Sequence, residues 1–204
     1  MFLYDLHTHT QRHSDCSILN PHALVGISRA RGLAGIAVTE HHYAWSVREI
    51  AELSLAAGEE LVLMRGQEVE STAGHVLVYG YPDPLPPGLP PEEIAARAHE
   101  RGGAIVKAHP FRDGGFRLAG LRDLARAFAP FDAVEFLNGN QTEAENRRAL
   151  EAWRALGLPG TGGSDAHSEG MVGRFATAFE RRIRNEAELA AELRAGRCRP
   201  VEVP

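Results

Sequence analysis

The chain has 204 residues, 44% of them hydrophobic, which is enough for one sizeable core and predicts a single domain over residues 1–204. The formal net charge of -5 argues against an obligatory nucleic-acid partner, although local arginine clusters could still bind phosphate. Two cysteines are too few for a disulfide framework, and no apolar run approaches the roughly 20 residues that span a bilayer. Because the first residues also lack the features of a signal peptide, we expect a cytoplasmic protein without a membrane partner.

Short β-rich runs alternate with amphipathic stretches, a pattern typical of βα units around a largely parallel sheet. Strands are predicted at residues 2–8, 35–40, 61–68, 75–80, 104–108, 132–137, 158–162 and 174–179. Helix starts are indicated by capping residues or by proline in the first turn, and helix ends by glycine. These signals place helix starts at Asn20-Pro21, Pro91, Thr142 and Asn185, and helix ends near Gly32, Gly102 and Gly157.

One connection predicts a reversal in the sheet. The link between strands 61–68 and 75–80 is too short for a helical crossover, so they should form an antiparallel hairpin that brings His75 beside Glu68. The chain then has to return to the other end of the barrel before the next helix. The proline-rich residues 81–90 can do this, because ten residues at about 3.1 Å each reach about 30 Å. We interpret them as a structural strap in preference to a mobile lid or an interaction motif.

Residues that can bind metals collect where the predicted strands end. His7 and His9 close the first strand, and residues two apart in a strand point to the same face. In parallel βα architectures the carboxyl ends of the strands share one face, where active sites form. The further residues expected at this face are Glu40, His41, Glu68, His75, His109, Asp165 and His167. Imidazole and carboxylate ligands together favour zinc, manganese or iron.

Seven motifs follow one another along nearly the whole chain. They are Asp5-Leu-His7-Thr-His9-Thr, Ser14-Asp15-Cys16-Ser17, Gly35-Ile-Ala-Val-Thr39-Glu40-His41, Gly66-Gln-Glu68, Gly74-His75, Ala108-His109-Pro110 and Gly163-Ser-Asp165-Ala-His167. In this order they resemble the polymerase and histidinol phosphatase (PHP) family of metal-dependent phosphoesterases. The resemblance implies an α/β fold, a distorted (βα)7 TIM-like barrel of the PHP type, with two or three divalent metal ions (zinc, manganese or iron).

Two features depart from the family pattern. Glu40 stands where relatives usually have Asp, so we expect it to support the site without binding an ion. The chain is also short for a histidinol phosphate phosphatase and lacks the inserted subdomain of some nucleotide-directed relatives.

The resemblance also assigns ligands. One ion would be held by His7, His9, Glu68 and Asp165. Glu68 would bridge to a second ion held by His75 and His109. A third would be held by Asp15, His41 and His167. Metals about 3.5–4 Å apart can share a hydroxide and clamp the phosphoryl oxygens during in-line attack. Asp165 could also relay a proton, a catalytic role beside its role as a ligand.

Substrate contacts are predicted from position alone. Arg112, soon after His109, suits a forked contact to phosphate and is the second catalytic candidate. Lys107 precedes His109 by two residues and would share its face, the alternative being a snorkelling or salt-bridged lysine. Arg174 is a further candidate for phosphate binding.

Other polar residues are assigned lesser roles. Asn138 and Asn140 could bind substrate or mark a turn, and Glu135 is expected to support a ligand. His13, His22, His42 and His99 are not expected to bind metal.

Three hypotheses follow. The first is a metal-dependent phosphoesterase that hydrolyses a phosphate ester, either a small phosphomonoester or a nucleotide-like substrate, with a metal-bridging hydroxide. The second is an amidohydrolase-type metal hydrolase with Lys107 as a modified bridging lysine. The third is a domain that keeps the fold without catalysis. Because Glu68 already supplies a bridge and no ligand position of the family is lost, the sequence favours the first.

Overall fold

The computed structural model describes residues 1–58, 60–116 and 119–203. The strands in these residues are β1 (Phe2–Thr8), β2 (Gly35–Val38), β3 (Val62–Ser71), β4 (Gly74–Tyr79), β5 (Ala104–Lys107), β6 (Ala133–Asn138), β7 (Gly160–Gly163), β8 (Phe175–Phe179) and β9 (Arg199–Glu202). The helices are α1 (Pro21–Ala30), α2 (Val47–Ala57), α3 (Pro91–Glu100), α4 (Leu121–Phe128), α5 (Glu143–Leu156) and α6 (Glu186–Arg194). None of these helices is long and apolar enough to cross a membrane.

The strands form one sheet that curls into a nearly closed barrel. Its order is β7-β6-β5-β4-β3-β2-β1-β8-β9, and the end of β1 meets the segment after β7, where Asp165 N donates to His7 O at 2.7 Å. β4 runs antiparallel to both β3 and β5, as the short link predicted. The predicted TIM-like barrel of the PHP type is therefore confirmed. The strand β9 is not predicted from the sequence, because its four residues include a proline and show no alternation.

Apolar side chains pack on both sides of the sheet. Inside the barrel, Tyr4, Leu6 and Met64 lie in one cluster with Leu189 and Leu193 of α6, so this helix packs against the interior apolar cluster. Outside, α1 and α2 pack over β2 and β3, α3 packs over β4 and β5, and α4 and α5 pack over β6. Fully burying a leucine side chain contributes about 1.5–3 kcal/mol, so these layers hold the frame on which the strand ends are displayed.

Helix boundaries follow the capping signals of the sequence. Asn20 caps α1 and Thr142 caps α5, the latter in a complete capping box with Glu145. Gly157 ends α5 in a left-handed conformation. At α6 only one of the two hydrogen bonds of a capping box is present. The side chain of Asn185 accepts from Glu188 N, whereas the carboxylate of Glu188 accepts from the backbone N–H of Arg184.

The proline-rich residues 81–90 lie along β3 as a strap. Gln67, which is buried, donates from Nε2 to Asp83 O at 2.8 Å and accepts from Leu85 N at 2.8 Å. Leu85 is buried beside α3, and Leu89 O accepts from Thr72 N at 3.1 Å at the β3–β4 turn. The segment therefore crosses from one end of the barrel to the other, which confirms the structural interpretation.

We expect Gln67→Ala to destabilise the fold by about 1–3 kcal/mol, because two backbone groups of the strap lose their partner while Leu85 stays buried. The free energy of unfolding in urea measures the effect. Glu70→Ala, an exposed change on the same strand, is the control and should stay within about 0.5 kcal/mol of the parent. Equal losses in both variants would contradict the role of Gln67.

Candidate metal centre

A β-bulge turns the first two histidines toward the centre. Tyr4 and Leu6 face the barrel interior, and strict alternation would next bring in Thr8 and turn His7 outward. The pairing with β2 advances by three residues on β1, from Asp5 to Thr8, but by only two on β2. This extra residue reverses the alternation, and the Nε2 atoms of His7 and His9 lie 3.1 Å apart.

A second β-bulge, in β6, turns Asn138 toward the centre. Ala133 belongs to the interior cluster, and the pairing with β7 slips by one residue between Glu135 and Leu137. Glu135 and Asn138 therefore both face the centre, and Asn138 Nδ2 donates to Glu135 Oε2 at 2.9 Å. Both bulges lie beside the metal-binding residues, where such irregularities redirect side chains.

Left-handed backbone places two further residues. His109 has φ 24° and Asp165 has φ 50°, values that are unfavourable for any residue with a side chain. Each follows a strand and turns its side chain to the centre, where His109 Nε2 lies 2.9 Å from Glu68 Oε1 and Asp165 Oδ1 lies 3.3 Å from His9 Nε2. Such conformations persist where the surrounding structure enforces them, and they cluster at functional sites.

The reversal at His109 corrects the prediction for Lys107. With strict alternation, the side chains of Lys107 and His109 would lie on the same side of the sheet. Lys107 instead pairs with Val76, which packs on the α3 side. Its Nζ donates to His75 O at 3.1 Å. Burial lowers the pKa of Lys107 to about 8. The side chain of Lys107 therefore lies on the opposite side of the sheet from the ligand histidines.

The ligand candidates fall into three groups whose nitrogen and oxygen atoms lie within 4.8 Å of one another. The groups are His7, His9, Glu68 and Asp165; Glu68, His75 and His109; and His9, His41 and His167. Eight of the nine predicted ligand residues are thus brought together by the fold.

Glu68 joins the first two groups. Its Oε2 atom lies 3.4 Å from His7 Nε2 and 3.2 Å from His9 Nε2. Its Oε1 atom lies 2.8 Å from His75 Nδ1 and 2.9 Å from His109 Nε2. One carboxylate thus turns each oxygen to a different set of imidazoles, the arrangement by which a carboxylate can bridge two cations.

Asp15 is the ninth predicted ligand, and the structure places it in none of the three groups. Its neighbour Ser14 is buried and donates to Glu40 Oε2, which leaves Asp15 exposed on the outside of the turn. In the third group His9 stands where the sequence had predicted Asp15. The prediction used the order of motifs along the chain, which does not fix the direction of a side chain in a turn.

Glu40 is an anchor for the loops around the centre. Its buried carboxylate accepts hydrogen bonds from Thr10 Oγ1, from Ser14 Oγ and, at 3.0 Å, from Trp45 Nε1. Thr10 and Ser14 follow β1, whereas Trp45 follows β2. Ser14 Oγ in turn lies 3.5 Å from His9 Nδ1. Glu40 therefore ties two loops together and supports His9 through Ser14.

Glu135 supports His7 in a more direct way. Its Oε1 atom lies 3.0 Å from His7 Nδ1, and its Oε2 atom accepts from His109 N at 2.9 Å. A carboxylate behind a ligand histidine fixes the ring orientation and leaves the other nitrogen for a metal. The contact between His7 and Glu135 requires glycine at position 163. A Cβ there would come within 2.5 Å of His7 Cβ and 2.7 Å of Glu135 Oε1.

Asp165 is held by three polar side chains. Arg112 donates to its Oδ2 at 3.1 Å, Asn138 donates to the same oxygen at 3.3 Å, and Asn140 donates to its backbone carbonyl at 2.8 Å. Oδ1 is the oxygen turned to the histidines. Asn138 and Asn140 thus bond the aspartate. Arg174 is exposed, with its guanidinium over the ring of Phe175, and belongs to no ligand group.

The charges of the centre are mutually stabilising. Burial alone would raise the pKa of Glu68 and Asp165, but His7 and its neighbours hold both far below the ordinary range. Burial likewise would lower the pKa of His7, yet Asp165, Glu135 and Glu68 raise it well above the usual value. The carboxylates therefore stay ionised. A divalent cation would replace the protons on the histidines, because metal ligands bind in their deprotonated form.

The remaining histidines lie outside the three groups. His13 contacts Glu49 at 2.8 Å and stacks on Tyr43. His99 pairs with Asp132 at 2.9 Å, and His22 lies at the exposed start of α1.

The fold and the clustered imidazoles and carboxylates define a distorted TIM-like barrel with a candidate metal centre. A family model described as PHP-associated matches residues 143–198. This match and the shared barrel support the resemblance to the PHP family that the motifs indicated. An uncharacterized protein of Methanocaldococcus jannaschii is 27% identical over 117 residues, covering 52% of this chain and 67% of that protein.

Solved structures share the fold at low identity. A two-domain protein of Bacteroides vulgatus containing a predicted PHP-like metal-dependent phosphoesterase is 19% identical with TM-score 0.74; the match covers 99% of this chain and 65% of that one. An amidohydrolase of Chromobacterium violaceum is 19% identical with TM-score 0.64, covering 98% of both chains. The lesion-specific endonuclease EndoQ of Pyrococcus furiosus is 18% identical with TM-score 0.63, covering 98% of this chain and 57% of that one.

We expect Glu135→Gln to weaken the binding of Mn²⁺ by roughly 10–100-fold, the usual cost of losing a group that orients a ligand. The amide nitrogen would face either the two donors His109 N and Asn138 Nδ2 or the Nδ1 atom of His7, so at least one of the three contacts of Glu135 is lost. Titration calorimetry measures the affinity. Glu151→Gln, an exposed change on α5, is the control, and unchanged affinity in Glu135→Gln would show that the contact to His7 has no effect.

Glu49, which binds His13 beside the centre, should make stability depend on pH. Burial would raise its pKa, but Ser46 and His13 lower it from 4.5 to about 2. A carboxyl whose pKa is lowered on folding contributes stability above the unfolded value, and this is lost as pH falls toward 2. The difference in unfolding free energy between the parent and Glu49→Gln should therefore be constant above pH 5 and shrink below about 4.5. A difference independent of pH would contradict this.

Proposed function

We propose that the chain is a metal-dependent phosphoesterase that hydrolyses a phosphate ester at a centre of two or three divalent ions. The observation that carries the proposal is the division of the Glu68 carboxylate between two sets of histidines. His7, His9 and Asp165 would hold one ion with Glu68, and His75 and His109 would hold the other. Zinc, manganese and iron suit this mixture of imidazole and carboxylate.

A third ion would need one more ligand. His41 and His167 lie at the rim with side chains that are 34% and 24% exposed, and His9, which completes their group, is also part of the first group. The described geometry thus offers two ligand sets that share only Glu68. We propose that a third ion at His41 and His167 binds more weakly than these two.

Bound ions would supply a hydroxide nucleophile and Lewis-acid stabilisation of the phosphoryl oxygens. The protein contributes position and charge around them. Arg112 Nη1 lies 3.1 Å from Asp165 Oδ2 with a side chain that is 28% exposed. From there we propose that the guanidinium binds a non-bridging oxygen of the phosphate while Asp165 Oδ1 faces the ions. We propose that Asp165 accepts a proton from the attacking water.

The amidohydrolase alternative has less support. It uses Lys107 as a modified lysine between two ions, yet Nζ of Lys107 bonds to His75 O on the α3 side of the sheet. The likeness to the amidohydrolase concerns the fold. Nor do the residues favour a domain without catalysis, because eight ligand candidates converge and the supporting carboxylates Glu40 and Glu135 are in place.

Purified protein with its metal content measured should be assayed against nucleoside monophosphates, nucleoside bisphosphates, histidinol phosphate and a phosphodiester, beside amides and lactones. The likeness to an endonuclease makes the diester a necessary member of this panel. We expect turnover of at least one phosphate ester after addition of Mn²⁺ or Zn²⁺. Turnover of amides or lactones alone would refute the proposal.

We expect His9→Ala and Asp165→Ala each to abolish this turnover with the fold intact, a larger loss than the roughly 10–100-fold cost of removing a supporting residue. Steady-state kinetics and bound-metal analysis measure the effect, and circular dichroism confirms folding. His22→Ala removes an imidazole from the surface of α1 and serves as the control. Turnover at the parental rate in either site variant would exclude the proposed centre.

A further inference from the structure

Lys107 is the only lysine of the chain, and it is buried at 5% exposure. In the part of the chain that the structure describes, its Nζ makes one hydrogen bond, to His75 O at 3.1 Å, and no carboxylate pairs with it. A buried charge without an ion pair is unfavourable, and a methionine of similar volume would fill the same space at lower cost. Packing alone therefore does not explain this residue.

The space for the ammonium depends on a glycine. Gly74 has φ 84°, and a Cβ there would lie 2.8 Å from Nζ of Lys107. The carbonyl of His75 also accepts from Ala108 N at 3.1 Å. Both lone pairs of this oxygen are thus used, one by the backbone after β5 and the other by the lysine. The start of β4 is therefore held to β5 by two donors at one atom.

His75 is the least enclosed ligand candidate of its group. Its side chain is 29% exposed, compared with 2% for Glu68 and 7% for His109. It directly follows the exposed turn residues 72–74. Its Nδ1 atom, 2.8 Å from Glu68 Oε1, is the ring nitrogen nearer to the backbone, so any shift of the backbone moves this nitrogen directly. The position of the ligand atom therefore depends on how firmly the backbone is held.

Other ligand candidates have support on the side of the centre itself. Glu135 contacts His7 Nδ1 at 3.0 Å and accepts from His109 N at 2.9 Å. For the ring of His75, the described residues offer no hydrogen-bond partner besides the shared carboxylate. Lys107 supplies the missing support from the opposite side of the sheet, through the backbone carbonyl.

We propose that Lys107 is a positioning residue for the ion held by Glu68, His75 and His109. Its hydrogen bond fixes the backbone of His75 and so keeps Nδ1 beside Glu68 Oε1. The inference rests on the proposed function, because it concerns the second ion of that centre. The positive charge by itself acts in the opposite direction, since an ammonium repels a cation. Positioning and repulsion therefore predict opposite changes in metal affinity when the lysine is removed.

The test compares the full chain with Lys107→Met, which removes the donor and the charge at similar volume. Metal-free protein is titrated with Mn²⁺ by calorimetry to measure the affinity of each ion. Electron paramagnetic resonance distinguishes magnetically coupled Mn²⁺ pairs from isolated ions, and unfolding in urea measures the stability of the metal-free proteins. Ile105→Val is the control, because it changes packing in the α3 cluster on β5 and leaves both donors to His75 O in place.

We expect Lys107→Met to bind the second ion roughly 10–100-fold more weakly, the usual cost of losing a group that orients a ligand. The affinity for the first ion should not change, and the signal of isolated ions should replace that of coupled pairs at limiting Mn²⁺. The metal-free variant should be at least as stable as the parent, because an apolar side chain replaces a buried charge. Unchanged or tighter binding of the second ion, or a less stable metal-free variant, would overturn the proposal.

A second variant moves the ammonium without removing it. Gly74→Ala places a Cβ against Nζ of Lys107 and should also weaken the second ion, but it should cost nothing further in the Lys107→Met background. Gly88→Ala is the matched control, since Gly88 has φ 81° and an added Cβ there meets no atom within 4 Å. Equal losses from Gly74→Ala in both backgrounds would contradict a role for the lysine.

These measurements need no turnover, so they are independent of the ester panel. A parent chain that binds a single ion would overturn the two-ion centre and this inference together. Two ions bound equally well by the parent and by Lys107→Met would overturn only the role of Lys107.

Discussion

The arrangement of the centre depends on a buried carboxylate, that of Glu68, inside a ring of imidazoles. A lone ionised carboxylate at 1% exposure would be very unfavourable, and five histidine nitrogens within 3.4 Å offset that cost. Because those histidines come from the ends of β1, β2 and β5 and from the β3–β4 hairpin, Glu68 joins parts of the barrel far apart in sequence. The antiparallel course of β4 is required for this, since only a hairpin returns His75 to the side of Glu68.

The regularity of the barrel is broken at the points where function requires it. A regular strand would turn His7 outward, and a second regular strand would turn Asn138 outward; a bulge in each reverses the direction. His109 and Asp165 take up left-handed backbone for the same purpose. Strain of this kind costs of order 1–3 kcal/mol at each residue. The hydrogen bonds of Glu135, Asn140 and Arg112 hold these conformations, so the supporting side chains are part of the centre.

The sequence predicts the fold and the identity of most ligands because both follow from local patterns. Three features each predict one arrangement of the chain. They are the strand ends rich in histidine, the short link before His75 and the proline-rich strap. The failures concern side-chain direction. Lys107 and Arg174 were placed by their distance from His109 and Asp165, and Asp15 by the order of motifs. The backbone reversal at His109 sets the direction of Lys107, and the turn anchored at Ser14 sets that of Asp15. Arg174 lies over the ring of Phe175, away from the ligand groups.

The charge distribution follows from the same constraint. Glu68, Asp165 and Glu135 bring three carboxylates to the centre, which is a favourable environment for divalent cations and an unfavourable one for a free phosphate ester. An anionic substrate therefore needs cationic groups beside the ions. Arg112 is the nearest, but it already bonds to Asp165. A phosphate oxygen bound at Arg112 would therefore share this guanidinium with the carboxylate of Asp165. The bound ions would have to supply the rest of the positive charge that offsets the acidity of the centre.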